Sequence, residues 1–344
     1  MSRLRPRFGL SNFYKDCASR SWIVAPEERA QVPAALFNVD DLSRVQGVAP
    51  DSSSLAGEIA RTQGGSVTHF ATTAYELHDA VLTGGQLFTR EIYYRLSDER
   101  PRLFAGSGLR EHADAVLASS HYGVKYFGHW MNDDLPRLLA ARDLGQPVST
   151  LLKPTIAQRR YLELLGLETE VVSDAWFDKV IVIDDVGQNA YKRERIRRLR
   201  SMAEVYAPVE ASAGVMLLRG HTGIRRVLLN ENEVAEMARR RGYAVVDPAI
   251  IDARELLRIC AGARVIVGVE GSQLVNGLMW MAGDGAVVTI QPPQRFTMVL
   301  KAYCDAVGIR FAFVVGNAHG ADDFSVDISA MEKLLDRVER GASS

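Results

Sequence analysis

The sequence predicts an α/β fold divided into two domains. The chain has 344 residues, a length typical of about two domains, and 47% hydrophobic and 24% charged residues, as in an ordinary globular protein. In the C-terminal half, short apolar runs alternate regularly with amphipathic segments. This alternation is typical of a parallel sheet whose strands are joined by crossover helices.

The clearest alternation follows residue 214 and predicts a doubly wound, Rossmann-like sheet. The predicted strands are Val215–Leu218, Ala244–Val246, Arg264–Val267, Ala286–Ile290 and Phe311–Val315. The predicted helices are Asn230–Arg241, Asp252–Ala261, Ser272–Met281, Phe296–Val307 and a last helix from about Ser329 to Arg340. We therefore predict a C-terminal Rossmann-like domain over residues 206–325, followed by a closing C-terminal helix within residues 326–344.

The remaining residues, 1–205, are predicted to form an N-terminal α/β domain with a strand-rich start. Between residues 21 and 89 the apolar runs are short and are separated by Gly, Ser, Asp and Pro, which predicts short strands with long connections. Further along, we predict strands over 150–152, 170–172 and 180–183 and a helix over 156–165. A basic helical stretch, Lys192–Arg200, leads to a linker over 207–214. Its basic face is interpreted as solvated, with contact to anionic lipid or a glycan phosphate as the alternative.

Charge and cysteine content exclude several classes of protein. The 41 lysines and arginines nearly cancel the 42 aspartates and glutamates, so no nucleic-acid partner is predicted. The three cysteines lack paired spacing, which argues against a disulfide framework or a zinc site. The basic segment 1–16 has no apolar core, and no window approaches the roughly 20 apolar residues of a membrane span. We expect a cytoplasmic protein, with peripheral contact at the inner membrane as an alternative.

A ligand site is predicted at the carboxyl ends of the C-terminal strands, where open α/β sheets bind their ligands. Gly268 and Gly271 flank a tight turn into a helix for which Ser272 is the expected N-cap. The free N–H groups of such a helix start suit a phosphate, and Arg219 and Arg295 at neighbouring strand ends add two-point hydrogen bonding. Neither the dinucleotide G-x-G-x-x-G fingerprint nor a Walker motif is present.

Further residues near this turn have more than one interpretation. Arg225 and Arg226 lie in a loop before Asn230, and one of the two is expected to contact a diphosphate, with a surface salt bridge as the alternative. Glu270 caps the helix or accepts hydrogen bonds from ribose or sugar hydroxyls, and we favour the hydroxyl role because a carboxylate aimed at a phosphate would repel it. Asn230 is interpreted as the N-cap of its helix.

The N-terminal domain offers a candidate catalytic pair in His129 and Asp133. If the helix runs from His129, the two side chains are four residues apart on one face, and the carboxylate can orient the imidazole. Pro136 then kinks the helix interior. Alternatively the helix begins near Asp134, with Pro136 in its first turn.

Three segments together resemble the family 61 glycosyltransferases. The first is Tyr126–Arg137, similar to the family's aromatic-H-W-x-x-D-x-L-P run. The second is Leu217–Arg219 followed by Arg225–Glu231, similar to its strand-ending arginine and R-x-N-E pattern. The third is Val267–Asn276, which resembles its G-x-H-G-A-x-L-x-N turn, except that Glu270 and Ser272 replace the usual His and Ala. The V-E-G-S form of this turn resembles a bacterial, capsular polysaccharide biosynthesis-type subgroup.

The resemblance implies a GT-B type fold, in which two Rossmann-like domains face a cleft, and transfer with inversion that needs no metal ion or other cofactor. On this basis we predict a hexosyl- or pentosyltransferase that moves a sugar from a nucleotide-sugar, a UDP-sugar first of all, to a glycan hydroxyl in capsule, exopolysaccharide or other cell-surface glycan synthesis. The catalytic residues are predicted to be Asp133 and His129, with either one as the base. The predicted donor-binding residues are Arg219, Arg225, Glu270, Gly271, Ser272, Gln273 and Arg295.

Other functions and assemblies stay open at this stage. A non-catalytic glycan- or nucleotide-binding protein on a transferase fold is one alternative. An NAD-dependent oxidoreductase is another, which the missing glycine fingerprint argues against. A homo-oligomer is compatible with the sequence, as is a monomer.

Overall fold

The computed structural model describes residues 17–50, 52–89, 93–98, 109–208, 211–220, 223–281 and 283–341. Its contacts divide the chain into two compact units: Met1–Glu28 with His69–Leu199, and Arg29–Thr68 with Arg200–Ser344. The basic segment 1–16 lies outside the described residues. The predicted domains are consecutive stretches of sequence, whereas these units interleave, since residues 29–68 group with the C-terminal part of the chain.

The first unit is built on a mixed sheet of eight strands. Its strands are β1 (Arg20–Ala25), β4 (Thr72–Thr83), β5 (Gln86–Phe88), β6 (Tyr93–Arg95), β7 (Arg110–Leu117), β8 (Pro147–Ser149), β9 (Glu170–Val171) and β10 (Ala175–Asp184). Strands β10, β7, β8 and β9 pair in parallel, and β4 joins β10 in antiparallel orientation. The parallel part follows the predicted alternation of strands and helices, while the antiparallel strands β1, β4, β5 and β6 extend the sheet.

Short helices flank this sheet. They are α2 (His121–Lys125), α3 (Phe127–His129), a π-helical turn (Trp130–Asp134), α4 (Leu135–Leu144), α5 (Ile156–Leu164) and α6 (Ala190–Ala203). Alternating side chains of β4, β7 and β10, among them Leu77, Leu117 and Phe177, form the hydrophobic core of the unit. The core of this unit is therefore built on the central strands of its sheet.

The second unit contains the Rossmann-like sheet. Its elements are β2 (Glu28–Val32), α1 (Leu55–Thr62), β3 (Gly65–His69), β11 (Gly214–Leu217), β12 (Val227–Leu228), α7 (Glu231–Arg240), β13 (Tyr243–Val246), α8 (Ala253–Gly262), β14 (Val265–Val269), α9 (Gln273–Trp280), β15 (Ala286–Gln291), α10 (Val299–Val307), β16 (Arg310–Val315), β17 (Asn317–His319), β18 (Asp323–Ser325) and α11 (Ile328–Arg340). Short 3₁₀ turns cover Leu42–Arg44 and Glu204–Tyr206. A second core of mostly aliphatic side chains, including Val267, Val288 and Leu334, fills this unit.

The five parallel strands lie in the order β13-β11-β14-β15-β16. Numbered by their order in the chain, this arrangement is 2-1-3-4-5, a doubly wound order in which the direction of winding reverses between the first and third strands. Those strands are β11 and β14, so the ligand site is expected where these two strands end. Arg219 is the second residue after β11, and Glu270 directly follows β14.

Most predicted elements after residue 214 are confirmed within about two residues, but others differ. The predicted strand 150–152 lies at Pro147–Ser149, where Val148 is buried and pairs with β7, while the apolar Leu152 is 43% exposed. The helix predicted from Phe296 begins at Val299. Both predicted caps, Asn230 and Ser272, occupy N-cap positions without a capping side-chain hydrogen bond. Asn230 instead exchanges two hydrogen bonds with the backbone of Val326.

Candidate active site

The described residues contain two clusters of polar side chains with chemistry to offer, one in each unit. We call His129, Asp133 and Lys192 the histidine cluster, and Arg219, Arg226, Arg295 and Glu270 the arginine cluster. Each cluster is built entirely from residues of its own unit.

A short helix and the π-helical turn that continues it carry two members of the histidine cluster, His129 and Asp133. The helix runs from Phe127 into the wider turn Trp130–Asp134, where the Leu135 N–H donates to the Trp130 carbonyl five residues earlier. Pro136 follows in the first turn of α4, where it has no N–H to donate. The structure therefore joins the two predicted alternatives, since the helix is continuous from Phe127 and Pro136 also lies at the start of a helix. Such π turns are often found at functional sites.

His129 and Asp133 form the predicted pair. The His129 Nδ1 and Asp133 Oδ2 atoms are 2.8 Å apart. About a third of the His129 side chain is exposed (32%), compared with 16% for Asp133. The imidazole therefore reaches the surface while its carboxylate partner lies behind it.

The second oxygen of Asp133 is held by Lys192, which the sequence analysis did not identify as a site residue. Lys192 Nζ donates to Asp133 Oδ1 at 2.6 Å and to the Asp185 carbonyl at 3.0 Å, and its side chain is fully buried. Burial alone would raise the pKa of Asp133, but the Lys192 ammonium and the hydrogen bond with His129 outweigh burial and hold this pKa well below its usual range. Asp133 is therefore a carboxylate at neutral pH.

A buried network fixes the segment around Lys192. Arg195 donates to both carboxylate oxygens of Asp185, at 2.9 and 2.8 Å, and Thr72 donates to the same carboxylate at 2.9 Å. Burial would raise the pKa of Asp185, but Lys192 and Arg195 outweigh burial and lower it. The basic stretch predicted to be a solvated helix face thus turns Lys192 and Arg195 inward. Their spacing of three residues, which places them on one face of α6, was the signal available in the sequence.

Asp134, the next residue in the π turn, has a structural environment. It accepts hydrogen bonds from the N–H and hydroxyl of Ser120, at 3.0 and 2.7 Å, and pairs with buried Arg137. Burial raises the pKa of Asp134 to about 6, against the lowering effects of Arg137 and Ser120. Asp134 thereby ties the π turn to the start of α2.

Aromatic rings surround His129. The ring centroids of Tyr122 and Tyr126 lie 5.3 and 6.0 Å from that of the imidazole. Tyr122 is 37% exposed, whereas Trp130 is only 5% exposed and belongs to the interior. Of the aromatic residues of this segment, the two tyrosines are therefore the ones placed to contact a ligand beside His129.

The arginine cluster lies at the ends of β11 and β14. Arg219, Arg226 and Glu270 are all buried, and Arg226 Nη1 lies 3.0 Å from Glu270 Oε2. Arg219 donates to Gln273 Oε1 at 2.8 Å and to the Ile224 carbonyl at 3.1 Å. Burial lowers the pKa of Arg219 to about 10, and the neighbouring charge of Arg226 adds to this effect. The cluster thus has three guanidinium groups and one carboxylate, Glu270, while Glu231 adds a further negative charge near Arg219.

Hydrogen-bonding capacity remains unused in this cluster. The Nε atoms of Arg226 and Arg295 are buried and have no hydrogen-bond partner among the described residues. Both side chains line a cavity of about 160 Å³, together with Arg225, Gln294, Ile224 and the acidic Asp322. An anion in the cavity would give the two N–H groups a partner and balance the surplus positive charge.

The turn after β14 contains a glycine, Gly271, where the arginine side chains come close to the backbone. Gly271 has a φ of +154°, and a Cβ atom placed on it would lie 2.3 Å from Arg219 Nη1 and 3.0 Å from Arg226 Nη2. Gln273 begins α9, and its side-chain Nε2 donates to the Val269 carbonyl at 2.5 Å. The structure therefore brings Arg219, Glu270, Gly271, Ser272 and Gln273 together around this turn, as the strand order predicts.

Arg225 differs from its buried neighbour. Its side chain is 62% exposed and donates to both carboxylate oxygens of Asp323, at 2.9 and 3.2 Å. This contact is the surface salt bridge considered as one of the two alternatives. Arg226, which the sequence analysis left out of the predicted donor-binding set, is the buried member of the pair.

The described residues form neither a metal-binding cluster nor a membrane-spanning helix. In that part of the chain, no group of three or more His, Cys, Asp or Glu side chains is placed to hold a metal ion. No described helix has both the length and the apolar character that crossing a bilayer requires.

Comparison with known proteins identifies the domain. Residues 127–288 match the family described as Glycosyltransferase 61. This region of the chain is similar to the glycosyltransferase 61 family. The protein is therefore a glycosyltransferase, and the predicted enzyme class is confirmed. The matched region of this glycosyltransferase includes the whole histidine cluster and all of the arginine cluster except Arg295. No curated protein matches the chain.

Proposed function

We propose that this glycosyltransferase transfers a sugar from a nucleotide-sugar, with a UDP-sugar as the first candidate, to a hydroxyl of a glycan. Transfer inverts the anomeric carbon and needs no metal ion. The proposal includes the GT-B type two-domain arrangement and a cytoplasmic role in capsule, exopolysaccharide or other cell-surface glycan synthesis, as in the bacterial subgroup that the V-E-G-S turn resembles. The observation that carries it is the surplus of buried arginine charge beside a cavity.

The arginine cluster is suited to the leaving diphosphate. Guanidinium groups bind phosphate oxygens in two-point hydrogen bonds, and the buried N–H groups of Arg226 and Arg295 supply such donors. Positive charge at this place stabilises the negative charge that develops on the departing nucleoside diphosphate. In this proposal Glu270 holds Arg226 in place, because its carboxylate is already engaged by that guanidinium.

The histidine cluster is suited to accepting the proton of the acceptor. A base works best when its pKa lies near the working pH. The strongly lowered pKa of Asp133 makes that carboxylate a weak base. We therefore assign the base to His129, with Asp133 orienting the ring through Nδ1.

The proposed step is a single displacement. The acceptor oxygen forms a bond to the anomeric carbon from the face opposite the leaving group, and the bond from that carbon to the diphosphate oxygen breaks. The electron pair of the broken bond leaves on the nucleoside diphosphate. The hydroxyl proton moves to Nε2 of His129. The products are the extended glycan and the nucleoside diphosphate.

A thermal-shift screen tests the donor assignment. The purified protein is heated with UDP, GDP, ADP, CMP, NAD and common sugar conjugates, with and without EDTA. We expect one nucleotide and its sugar conjugates to raise the melting temperature equally in both conditions, because a ligand at 100 times its Kd stabilises by about 2.7 kcal/mol. Transfer from the conjugate so identified to a glycan hydroxyl is then assayed. A shift with NAD alone, or stabilisation that EDTA abolishes, would overturn the proposal.

A further inference from the structure

Lys192 is a buried cation placed behind the proposed base. Its side chain is fully buried, and it extends from α6 to the carboxylate of Asp133, 59 residues earlier in the chain. Its other oxygen partner is a backbone carbonyl, that of Asp185. Because burying a lysine charge without a partner is costly, this arrangement requires a compensating carboxylate at Asp133.

Asp133 is the carboxylate that balances the charge of Lys192. The carboxylate of Asp185 is already engaged by Arg195 through two hydrogen bonds, and Thr72 supplies a third. Asp133 accepts from Lys192 and Asn132 on Oδ1 and contacts His129 on Oδ2. Lys192 is therefore the nearest compensating cation that holds Asp133 in place.

An ionised Asp133 determines which nitrogen of His129 carries the proton. A carboxylate can only accept hydrogen bonds, so the Nδ1 atom at 2.8 Å must be the protonated nitrogen. In the neutral imidazole, Nε2 is then the nitrogen that can accept a proton. The tautomer needed for the proposed base thus depends on Asp133 remaining charged and correctly placed.

We propose that Lys192 is a positioning residue that keeps Asp133 ionised and in place, and so sets both the tautomer and the base strength of His129. This inference rests on the proposed function, in which His129 takes the acceptor proton. Lys192 does not contact the substrate in this proposal, and it acts through Asp133.

Other charged and titratable groups surround the cluster and are unchanged by a substitution at Lys192. Tyr122 and Tyr126 pack against the His129 ring, and Lys125 lies over the Tyr126 ring. Asp134 and Arg137 act on Asp133 from its own helix, and Asp185 and Arg195 adjoin Lys192. A change in pH dependence between wild type and a Lys192 variant therefore reports the loss of the lysine charge.

The test is Lys192→Met, which keeps an unbranched side chain of similar length and removes the charge. Without the ammonium, the His129–Asp133 pair takes up a proton more readily. We expect the acid limb of the kcat–pH profile to move to higher pH by about one unit or more, with loss of turnover at neutral pH and partial recovery at higher pH. Nucleotide binding, measured by calorimetry, should stay within about twofold of wild type.

Lys301→Met is the matched control. Lys301 is equally buried (3% exposed), pairs with Asp305 at 2.6 Å four residues along its helix, and belongs to the second unit. Its replacement should lower the melting temperature in a similar way and leave the acid limb unchanged. An acid limb that is also unchanged in Lys192→Met would overturn the inference, because a purely structural lysine predicts that result.

Nitrogen NMR of the His129 ring supplies a readout that needs neither turnover nor a folded variant. In wild type we expect the neutral ring to be protonated on Nδ1, and protonation on Nε2 would overturn the inference. His129→Gln separates the two proposals. We expect it to reduce kcat about 100- to 10,000-fold, the usual contribution of a placed base. Unchanged turnover in His129→Gln would refute the base assignment itself, whereas a large loss there with a normal Lys192→Met profile would refute only the role of Lys192.

Discussion

Glu270 illustrates how far a single residue can be interpreted from its local sequence. Its position after a buried strand and before a helix was predicted, and a role in binding hydroxyls was favoured. In the structure its carboxylate is buried and lies 3.0 Å from Arg226, so hydroxyl binding stays a prediction while the ion pair is observed. The two residues are 44 positions apart, and no local pattern connects them. Arg225 and Arg226 were both considered for a diphosphate contact, and only the exposed Arg225 entered the predicted donor-binding set, because adjacent positions in a loop do not show which side chain is buried.

Gly271 has a conformation and surroundings that exclude a side chain. Its φ of +154° is unfavourable for other residues, and an added Cβ would lie 2.3 Å from Arg219 Nη1. We expect Gly271→Ala to displace Arg219 and to weaken binding of the nucleoside diphosphate about tenfold, which is ~1.4 kcal/mol. Isothermal calorimetry with the nucleotide found in the screen measures this loss.

Gly242→Ala serves as the control for backbone strain. Gly242 also has a positive φ, +77°, but an added Cβ would meet no atom within 4 Å. Its replacement should reduce stability by about 1 kcal/mol and leave nucleotide affinity unchanged. Equal affinities for wild type and Gly271→Ala would show that the turn does not position Arg219 for the nucleotide.

Among the elements, the strands with the strongest apolar patterns were predicted and those with mixed patterns were not. Strands β14 and β15 are wholly buried runs rich in valine and isoleucine, which a parallel sheet favours. The long strand β4 was missed because polar Glu76, His78 and Asp79 interrupt its apolar pattern, and Asp79 has a positive φ of 51°. Strands β17 and β18, three residues each, are too short to show a period.

Two helices depended on contacts that the sequence does not display. Pro136 follows a stretch with helical character, and proline disrupts a regular α-helix interior. In the structure a π turn at Trp130–Asp134 lets the helix continue past this proline. The sequence predicts the disruption but not the π turn. The inward orientation of Lys192 and Arg195 depends on Asp133 and Asp185, which are supplied by other segments. The His129–Asp133 pair could be predicted because its spacing lies within a single helix.

The start of α2 provides a test of how the π turn is anchored. Replacing a helical glycine by alanine normally stabilises a helix by up to about 1 kcal/mol. At Gly123, however, an added Cβ would lie 1.9 Å from Asp134 Oδ2, inside the network that joins Asp134 to Ser120. We expect Gly123→Ala to destabilise the protein by about 1–3 kcal/mol instead. Urea denaturation measures the difference, and a stabilised variant would contradict this packing.

At the scale of the whole molecule, overall charge conceals the local charge that matters. Positive and negative residues nearly balance, 41 against 42, and the absence of a polyanionic partner stays a prediction. Three arginines nevertheless lie close together near the carboxyl ends of β11, β14 and β15, and their positive charges outnumber the nearby carboxylates Glu270 and Glu231. The net charge of the whole chain does not show this local excess of positive charge. The strand order 2-1-3-4-5 predicts where in the sheet a ligand site lies, and the arginines are found there.

The stability of the molecule should carry a pH dependence from Asp134. Its pKa is raised to about 6 in the folded protein against an ordinary value of 3.8, because the carboxyl is buried. Between these values the folded state binds more protons than the unfolded chain, so the contribution of Asp134 to the free energy of unfolding decreases as the pH rises. We expect wild type to lose stability relative to Asp134→Asn from pH 4 to pH 6. Denaturation curves over this range provide the test, and a difference that grows in favour of wild type would contradict it.

The interleaved connectivity of the second unit has a consequence for protein synthesis. Residues 29–68 leave the ribosome early, yet the buried carboxylate of Asp41 accepts from the Val315 N–H, 274 residues later, and that of Glu58 from the Met298 N–H, 240 residues later. At about 5–20 residues per second, a ribosome needs roughly 12–50 s to translate the shorter of these intervals. Throughout that time the nascent chain carries two carboxylates and the strand-like segment at Leu36 without their native partners. The second unit can therefore reach its native state only after the ribosome has translated residue 315.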